Sequence, residues 1–231
     1  MILFTGDVHG QLGLGRFTFL HEFHRENPDE KIYIIVCGDM GCCWDGGEYD
    51  KATQEYLSTL PAEFLFIDGN HENFDILDNL PVEARYGGLV HKVTDNVYHL
   101  MRGEIFEIEG KTILAFGGAA SIDKGARIEG YSWWKQEAIT MDDLVNAIDN
   151  YAIKGLYKVD VVLTHASIPH HRFILTGSIR PKHDQSEGFI ADLLNYISYD
   201  YHFFGHYHED KLVEHNTRCL YNDLYEFPMR E

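Results

Sequence analysis

Basic residues are scarce in this chain: 19 Lys and Arg stand against 37 Asp and Glu, a formal net charge of −18. Tight binding to long DNA or RNA needs clustered cations, so it is not expected. Acidity of this kind is ordinarily a solvated surface. It leaves nucleotide hydrolysis open, because bound cations invert the local charge. Long apolar runs are missing too. Residues 32–37 form one of the longest, which is strand length and far below the roughly 20 residues that cross a bilayer. Ile2 already lies in a strand-like run, with no basic leader or cleavage site before it, so the expected location is the cytoplasm. The four cysteines (Cys37, Cys42, Cys43, Cys219) form no C-x-x-C pair, which excludes a motif zinc site or dithiol and fits a reducing compartment. Cys37 reads as a small buried hydrophobe. No linker, repeat or low-complexity stretch divides the chain, so residues 1–231 are expected to form a single domain.

Apolar runs of strand length do recur, at 2–5, 32–37, 64–67, 97–100, 105–108, 112–116, 159–164 and 201–204, then at 212–214 and 218–221. Helical spacing links Phe17, Leu20 and Phe23, then Leu144, Val145, Ile148 and Tyr151 behind the capping pair Thr140/Asp143, then Phe189, Leu193 and Tyr196. The first half alternates strand and helix and the middle is strand-rich. Two packed mixed sheets with helices outside, a four-layer αββα sandwich of the α/β class, fit that order. The Gly-rich stretch 117–130 reads as a long loop, and long loops in compact domains are usually functional. The acidic, Tyr-rich tail 221–231 either closes a strand or packs on a partner.

Five short polar pieces punctuate the strand-like runs: Asp7-Val8-His9, Gly38-Asp39, Gly69-Asn70-His71, Thr164-His165 and Gly205-His206-Tyr207-His208. Residues beyond the carboxyl ends of parallel strands converge on one crevice. Asp7/His9 and His206/His208 are two apart, and on extended backbone such side chains point the same way. Gly38 permits close backbone approach beside Asp39. A carboxylate has two oxygens and can bridge two cations, so this set can hold two ions about 3.5–4 Å apart. Oxygen and imidazole donors without thiolate suit Mn, Fe, Zn, Ni or Co, with Mn²⁺ the first expectation. The remaining histidine pairs, His21/His24, His91/His99 and His170/His171, read as surface or packing residues.

The order D-x-H, G-D, G-N-H-E, T-H, G-H-x-H resembles the calcineurin-like metallophosphoesterase superfamily, and it spans residues 2–208. Gly117-Gly118-Ala119-Ala120-Ser121 with Tyr131-Ser132-Trp133-Trp134 resembles a bacterial and phage branch of it. The resemblance implies that Asp7, His9, Asp39 and His208 hold one metal. Asp39, Asn70, His165 and His206 would hold the other, with Asp39 bridging. It implies phosphoester hydrolysis by in-line attack of a metal-bridging hydroxide, with Asn70 stabilising charge and His71 as general acid rather than ligand. The substrate would be a phosphorylated small molecule, a nucleotide or a phosphoprotein, mono- or diester.

Two departures stand out. The superfamily's protein phosphatases read G-D-x-x-D-R-G, whereas here Gly38-Asp39 continues Met40-Gly41-Cys42-Cys43-Trp44-Asp45, and Glu72 is followed by Asn73-Phe74 with no Arg two places on. The phosphate-gripping Arg is missing from both places, which weakens the protein-phosphatase reading. Arg127, Lys124 and Arg102 are the candidates to replace it, each with a surface role as the alternative. Asp45 is the candidate to orient His71. Trp133 and Trp134 fit either a stacking wall or packing anchors, and residues 168–172 either the site rim or an ordinary loop. A non-catalytic interaction scaffold on the same fold is the rival reading, and it would be expected to have lost ligands.

Overall fold

Strands that are apolar on both faces need cover on both, and the chain supplies it with a second sheet on one side and helices on the other. The computed structural model describes residues 1–178 and 185–227. In chain order the elements are β1 (Ile2–Thr5), α1 (Leu20–Glu26), β2 (Tyr33–Val36), α2 (Glu48–Thr59), β3 (Glu63–Phe66), α3 (Phe74–Leu77), β4 (Val82–Arg85), β5 (Gly88–Lys92) and β6 (Val97–Leu100). There follow β7 (Ile105–Ile108), β8 (Lys111–Phe116), α4 (Met141–Ile153), β9 (Val159–Thr164), α5 (Pro169–Thr176), α6 (Ser186–Tyr196), β10 (Tyr199–Phe204), β11 (Lys211–Glu214), β12 (Thr217–Cys219) and β13 (Tyr225–Glu226). One sheet runs β13-β1-β2-β3-β6-β5-β4 and the other β11-β12-β10-β9-β8-β7. The central strands of each are parallel, and antiparallel strands close the edges.

The period of two along each strand sorts residues between layers. Ile2, Phe4, Ile35 and Leu65 point inward against Ile113, Ala115, Val161, Leu163 and Phe203 of the other sheet. Leu3, Ile34, Val36, Phe64 and Phe66 point outward under Phe17, Leu20, Leu57, Phe74 and Leu77. On the far side Leu114, Phe116 and Val162 are covered by Leu144 and Ala147 of α4 and by Ile190 and Leu193 of α6. The order of layers is αββα, as the sequence predicts. The Thr140/Asp143 capping box forms as expected. No helix among the described residues is long and apolar enough to cross a membrane.

Several elements exceed the sequence expectation. The β4 strand lies at a sheet edge with every second residue exposed, so it has no apolar run to announce it. Helix α2 buries only Asp50, Thr53 and Leu57, too sparse an apolar stripe for a periodicity argument. Residues 168–172, left open as rim or loop, enter α5 with Pro169 in its first turn. The tail takes the strand alternative as far as it is described. Tyr225 and Glu226 pair antiparallel with Phe4 and Leu3, and Phe227 packs edge-on against Phe4 at 5.8 Å. Residues 228–231 lie outside the described residues.

Two predictions follow from this packing. Phe203 sits between the sheets, its ring centroid 4.7 Å from that of Phe4. Phe203→Ala should lower unfolding free energy by about 3–5 kcal/mol in denaturant titration. His202 is fully buried on the helix side of β10, where burial and His171 push its pKa down to about 3. The folded state therefore favours the neutral ring. Stability should be complete above the unfolded value of about 6.5 and decline as pH falls from there towards 3. Comparing denaturant midpoints at neutral and acid pH, His202→Leu should lose less than the parent does.

Candidate metal centre

Every predicted donor lies beyond the carboxyl end of a parallel strand. Asp7 and His9 follow β1, Asp39 follows β2, Asn70 and His71 follow β3, His165 follows β9, and His206 and His208 follow β10. The local backbone differs from the extended geometry expected of the two i, i+2 pairs. Asp7, His9, Asp39, His206 and His208 have φ of 44°, 51°, 55°, 69° and 53°. Residues with a Cβ are disfavoured there by on the order of 1 kcal/mol each. The left-handed turns swing His206 and His208 to different neighbours rather than laying them side by side. His206 Nδ1 meets Asn70 Oδ1 at 2.9 Å, whereas His208 Nε2 faces Asp7 Oδ1 at 3.6 Å. Strained φ values concentrated at one crevice are a mark of function.

Tight backbone approach brings the pieces together. A Cβ on Gly38, which has φ of 91°, would stand 2.2 Å from His165 Nδ1, and one on Gly69 would stand 2.1 Å from Asp39 Oδ1. Neither position admits another residue without displacing a donor.

The donors form two overlapping groups that share Asp7: Asp7, His9 and His208, and Asp7, Asp39 and His165 with Asn70 and His206 beside them. In one, the nearest donor atoms of Asp7, His9 and His208 all lie within 4.8 Å of one another, with the two Nε2 atoms of His9 and His208 3.2 Å apart. In the other, His165 Nε2 is 3.1 Å from Asn70 Oδ1, which also meets His206. Asp39 Oδ2 faces both, 3.4 Å from His165 Nε2 and 4.0 Å from His9 Nε2. Its other oxygen accepts the His71 backbone N–H at 2.9 Å. Burial opposes ionisation of Asp39, but His165, His71 and His9 outweigh it and hold the carboxyl well below the usual range. Burial would likewise lower His165; Asp39 and Asp7 overcome it and raise the ring to about 10.

The surroundings orient these donors as a cation would require. His165 Nδ1 donates to the Cys37 carbonyl at 2.7 Å, which leaves Nε2 as the nitrogen facing the crevice, where a cation would displace its proton. Asn70 Nδ2 donates to Ser121 Oγ at 3.3 Å, and Ser121 Oγ donates to Glu137 Oε2 at 3.0 Å. That chain turns the amide so that Oδ1 points at the imidazoles. Tyr49 donates to the His9 carbonyl at 2.8 Å, and the Tyr221 ring stacks on His208 at 4.5 Å. Carboxylate, amide and imidazole lone pairs crowded at these distances fit divalent cations.

Sequence reasoning gave Glu72 no role beyond its place in the motif. It is buried and accepts N–H bonds from Met40 and Gly69, the neighbours of Asp39 and Asn70. Burial, then Asp39, push its pKa up to about 8. Ser121 and Glu137 were missed as well. Ser121 lay in a quoted motif, but Glu137 is far away in sequence and carries no local signal.

The three candidate cations separate. Arg127 lines the crevice with Asp39, Asn70, His71, His206 and His208, and its Nη2 donates to His71 Nε2 at 3.4 Å. Lys124 instead lies over the Trp133 ring at 5.7 Å and is exposed. Arg102 is committed to Asp68 and to the carbonyls of Gln136, Glu137 and Ala138. Asp45 accepts from the Gly47 and Asp50 backbone at the entry to α2, so the side chain found at the His71 ring nitrogen is Arg127. Trp134 is a packing anchor: it is 3% exposed, and its indole N–H donates to Asp75. His91 and His99 are a buried stacked pair.

The chain belongs to the calcineurin-like phosphoesterase family, whose profile matches residues 1–210. No curated protein is a significant match. Among solved structures the chain is similar to a phosphopantetheinyl hydrolase (PptH) from Mycobacterium tuberculosis. Identity is 13% and TM-score 0.40, over 96% of this chain and 89% of that one.

If the left-handed backbone is held for the sake of the donors, relieving it should stabilise the metal-free protein. His208→Gly and His208→Ala both delete the ring, so their difference isolates the backbone. The Gly variant should unfold on the order of 1 kcal/mol later than the Ala variant. Equal denaturant midpoints would show that the turn is not strained.

Proposed function

We propose that this protein is a phosphoesterase dependent on two divalent metals, with Mn²⁺ the first expectation. The reading rests above all on Asp39, whose Oδ2 faces His165 Nε2 at 3.4 Å on one side and His9 Nε2 at 4.0 Å on the other. Asp7, His9, Asp39 and His208 would hold one ion, and Asp39, Asn70, His165 and His206 the other. Two such cations would supply acidified water and neutralisation of phosphoryl charge. The protein's own groups do the rest. Arg127, braced by Asp123 at 2.9 Å and by the Ser132 carbonyl, turns its Nη2 to the crevice as the phosphate contact that the motifs lack. His71 stands beside it, its backbone tied to Asp39; burial pulls its pKa down and Arg127 donates to its Nε2, so it would give a proton to the departing alkoxide once that guanidinium has turned to the phosphate. Asn70 is held by Ser121 with its oxygen towards the donor group and its amide away. Every donor position is filled, which is what a working hydrolase needs and a scaffold does not.

The test is metal-stripped protein assayed on a chromogenic phosphomonoester and the matching diester, with and without Mn²⁺. Turnover should return with metal, and the ratio of the two rates gives the ester class. Asp39→Asn should lose bound metal and activity together. His71→Ala should keep its metal and lose about 10²–10⁴-fold in turnover. Equal loss of metal in both variants would refute the separate roles. Absence of both metal and turnover in the parent would favour the scaffold.

A further inference from the structure

Beside the donor groups lies a second hollow, of about 360 Å³, walled by His9, Leu12, Trp44, Asp45, Tyr49 and His71. His71 is the partition, since it lines this hollow and the Arg127 crevice alike. The two sides differ in chemistry. On the crevice side stand the metal donors and a guanidinium. On the hollow side stand two aromatic faces, Trp44 and Tyr49, and Leu12, which is 86% exposed and has no packing reason to be apolar. The Trp44 ring is 5.7 Å from that of His71 and is itself braced edge-on by Trp134 at 5.9 Å. The Tyr49 hydroxyl is engaged with the His9 carbonyl, so its ring is fixed in place. Among the described residues lining the hollow there is no Lys or Arg, and the formal charge present is the exposed Asp45 carboxylate.

We propose that this hollow receives the leaving alcohol and selects a planar aromatic one without negative charge. The inference rests on the phosphoesterase reading of the crevice. A phosphoryl group beside Arg127, with its leaving oxygen at His71, can send its organic part past that ring into the hollow. Water gives its oxygen to phosphorus. The P–O bond breaks with its electron pair going to the alcohol oxygen, which takes its proton through His71. Aromatic walls reward a planar ring by stacking as well as by burial. Asp45, with no Lys or Arg in the lining to pair with it, disfavours at the mouth of the hollow a leaving group that carries a further phosphate or carboxylate. A nucleoside and an aryl-bearing alcohol share the favoured chemistry. A nucleic acid strand and a bisphosphate do not.

The test compares ethyl, 2-cyclohexylethyl and 2-phenylethyl phosphate on Mn²⁺-loaded protein. Their alcohols have closely similar acidity, so intrinsic reactivity is matched. A para-carboxylated 2-phenylethyl phosphate tests charge. The phenyl ester should exceed the ethyl ester by about tenfold in kcat/KM and the cyclohexyl ester should fall between. Trp44→Ala should narrow that gap, as should the surface change Leu12→Ser if the tryptophan variant folds poorly. Asp45→Asn should raise the carboxylated ester towards the phenyl one. Equal kcat/KM for the three esters of uncharged alcohols overturns the proposal while leaving the phosphoesterase reading intact. Binding of 2-phenylethanol, followed by saturation-transfer NMR, needs no turnover. Binding that Trp44→Ala or Leu12→Ser weakens, with neither these monoesters nor the matching diesters hydrolysed, overturns the phosphoesterase reading and supports the hollow as an aromatic site. No binding overturns the hollow whatever the kinetics.

Discussion

Asp39 is the constraint on which the crevice depends. One of its oxygens accepts the His71 backbone N–H and the other faces His165 and His9. A buried carboxylate in that position is costly unless positive charge and hydrogen bonds surround it. The imidazoles from three separate strand ends supply part of that. The rest is supplied by geometry: Gly38 and Gly69 let backbone come close enough for the contacts to be direct. Loss of either glycine would separate the donors before it disturbed the core.

Strained turns of this kind need rigid ends. The five left-handed donors sit on loops leaving strands whose last residues are buried on both faces. Sheet hydrogen bonds and the inter-sheet core fix where each loop starts, so the loops cannot relax by drifting. Glu72 ties the loop after β2 to the loop after β3 that carries Asn70, and Arg16 ties the loop after β1 to Tyr221, whose ring stacks on His208. The hydrophobic layers thus contribute to chemistry by denying the site its more relaxed backbone.

The four layers and the donor set were legible because both rest on local signals. Continuous apolar runs mark strands buried on two faces, and each run is followed at once by its polar piece. What was not legible is what depends on distant partners. The β4 strand lacks an apolar pattern because it is an edge, and α2 because its stripe is thin. The link from Asn70 through Ser121 to Glu137 crosses 67 residues of chain and exists only because two sheets meet. The left-handed backbone at Asp7 and His208 likewise follows from tertiary demand, since neither residue favours it by itself. Lys124 and Arg127, three apart in one loop, could not be separated by reasoning on type and spacing.

Arg102 shows why charge alone is a poor guide to a phosphate site. It follows β6, a parallel strand whose end faces the same way as those bearing donors. Burial decides otherwise. Asp68 is 1% exposed, and although burial opposes its ionisation, Arg102 and His99 hold it well below the usual carboxylate range. Freeing Arg102 for a substrate would strand that carboxylate, a loss of about 3–5 kcal/mol. No phosphate contact offsets so much at a side chain already satisfied by three carbonyls. Asp68 in turn accepts the Gly118 N–H through its backbone carbonyl at 2.8 Å, joining the loop after β3 to the loop after β8. Asn70 lies on the first of these loops and Ser121 on the second. Arg102 therefore acts on the donor group by holding those two loops in register, and its guanidinium is unavailable to anything that enters the crevice.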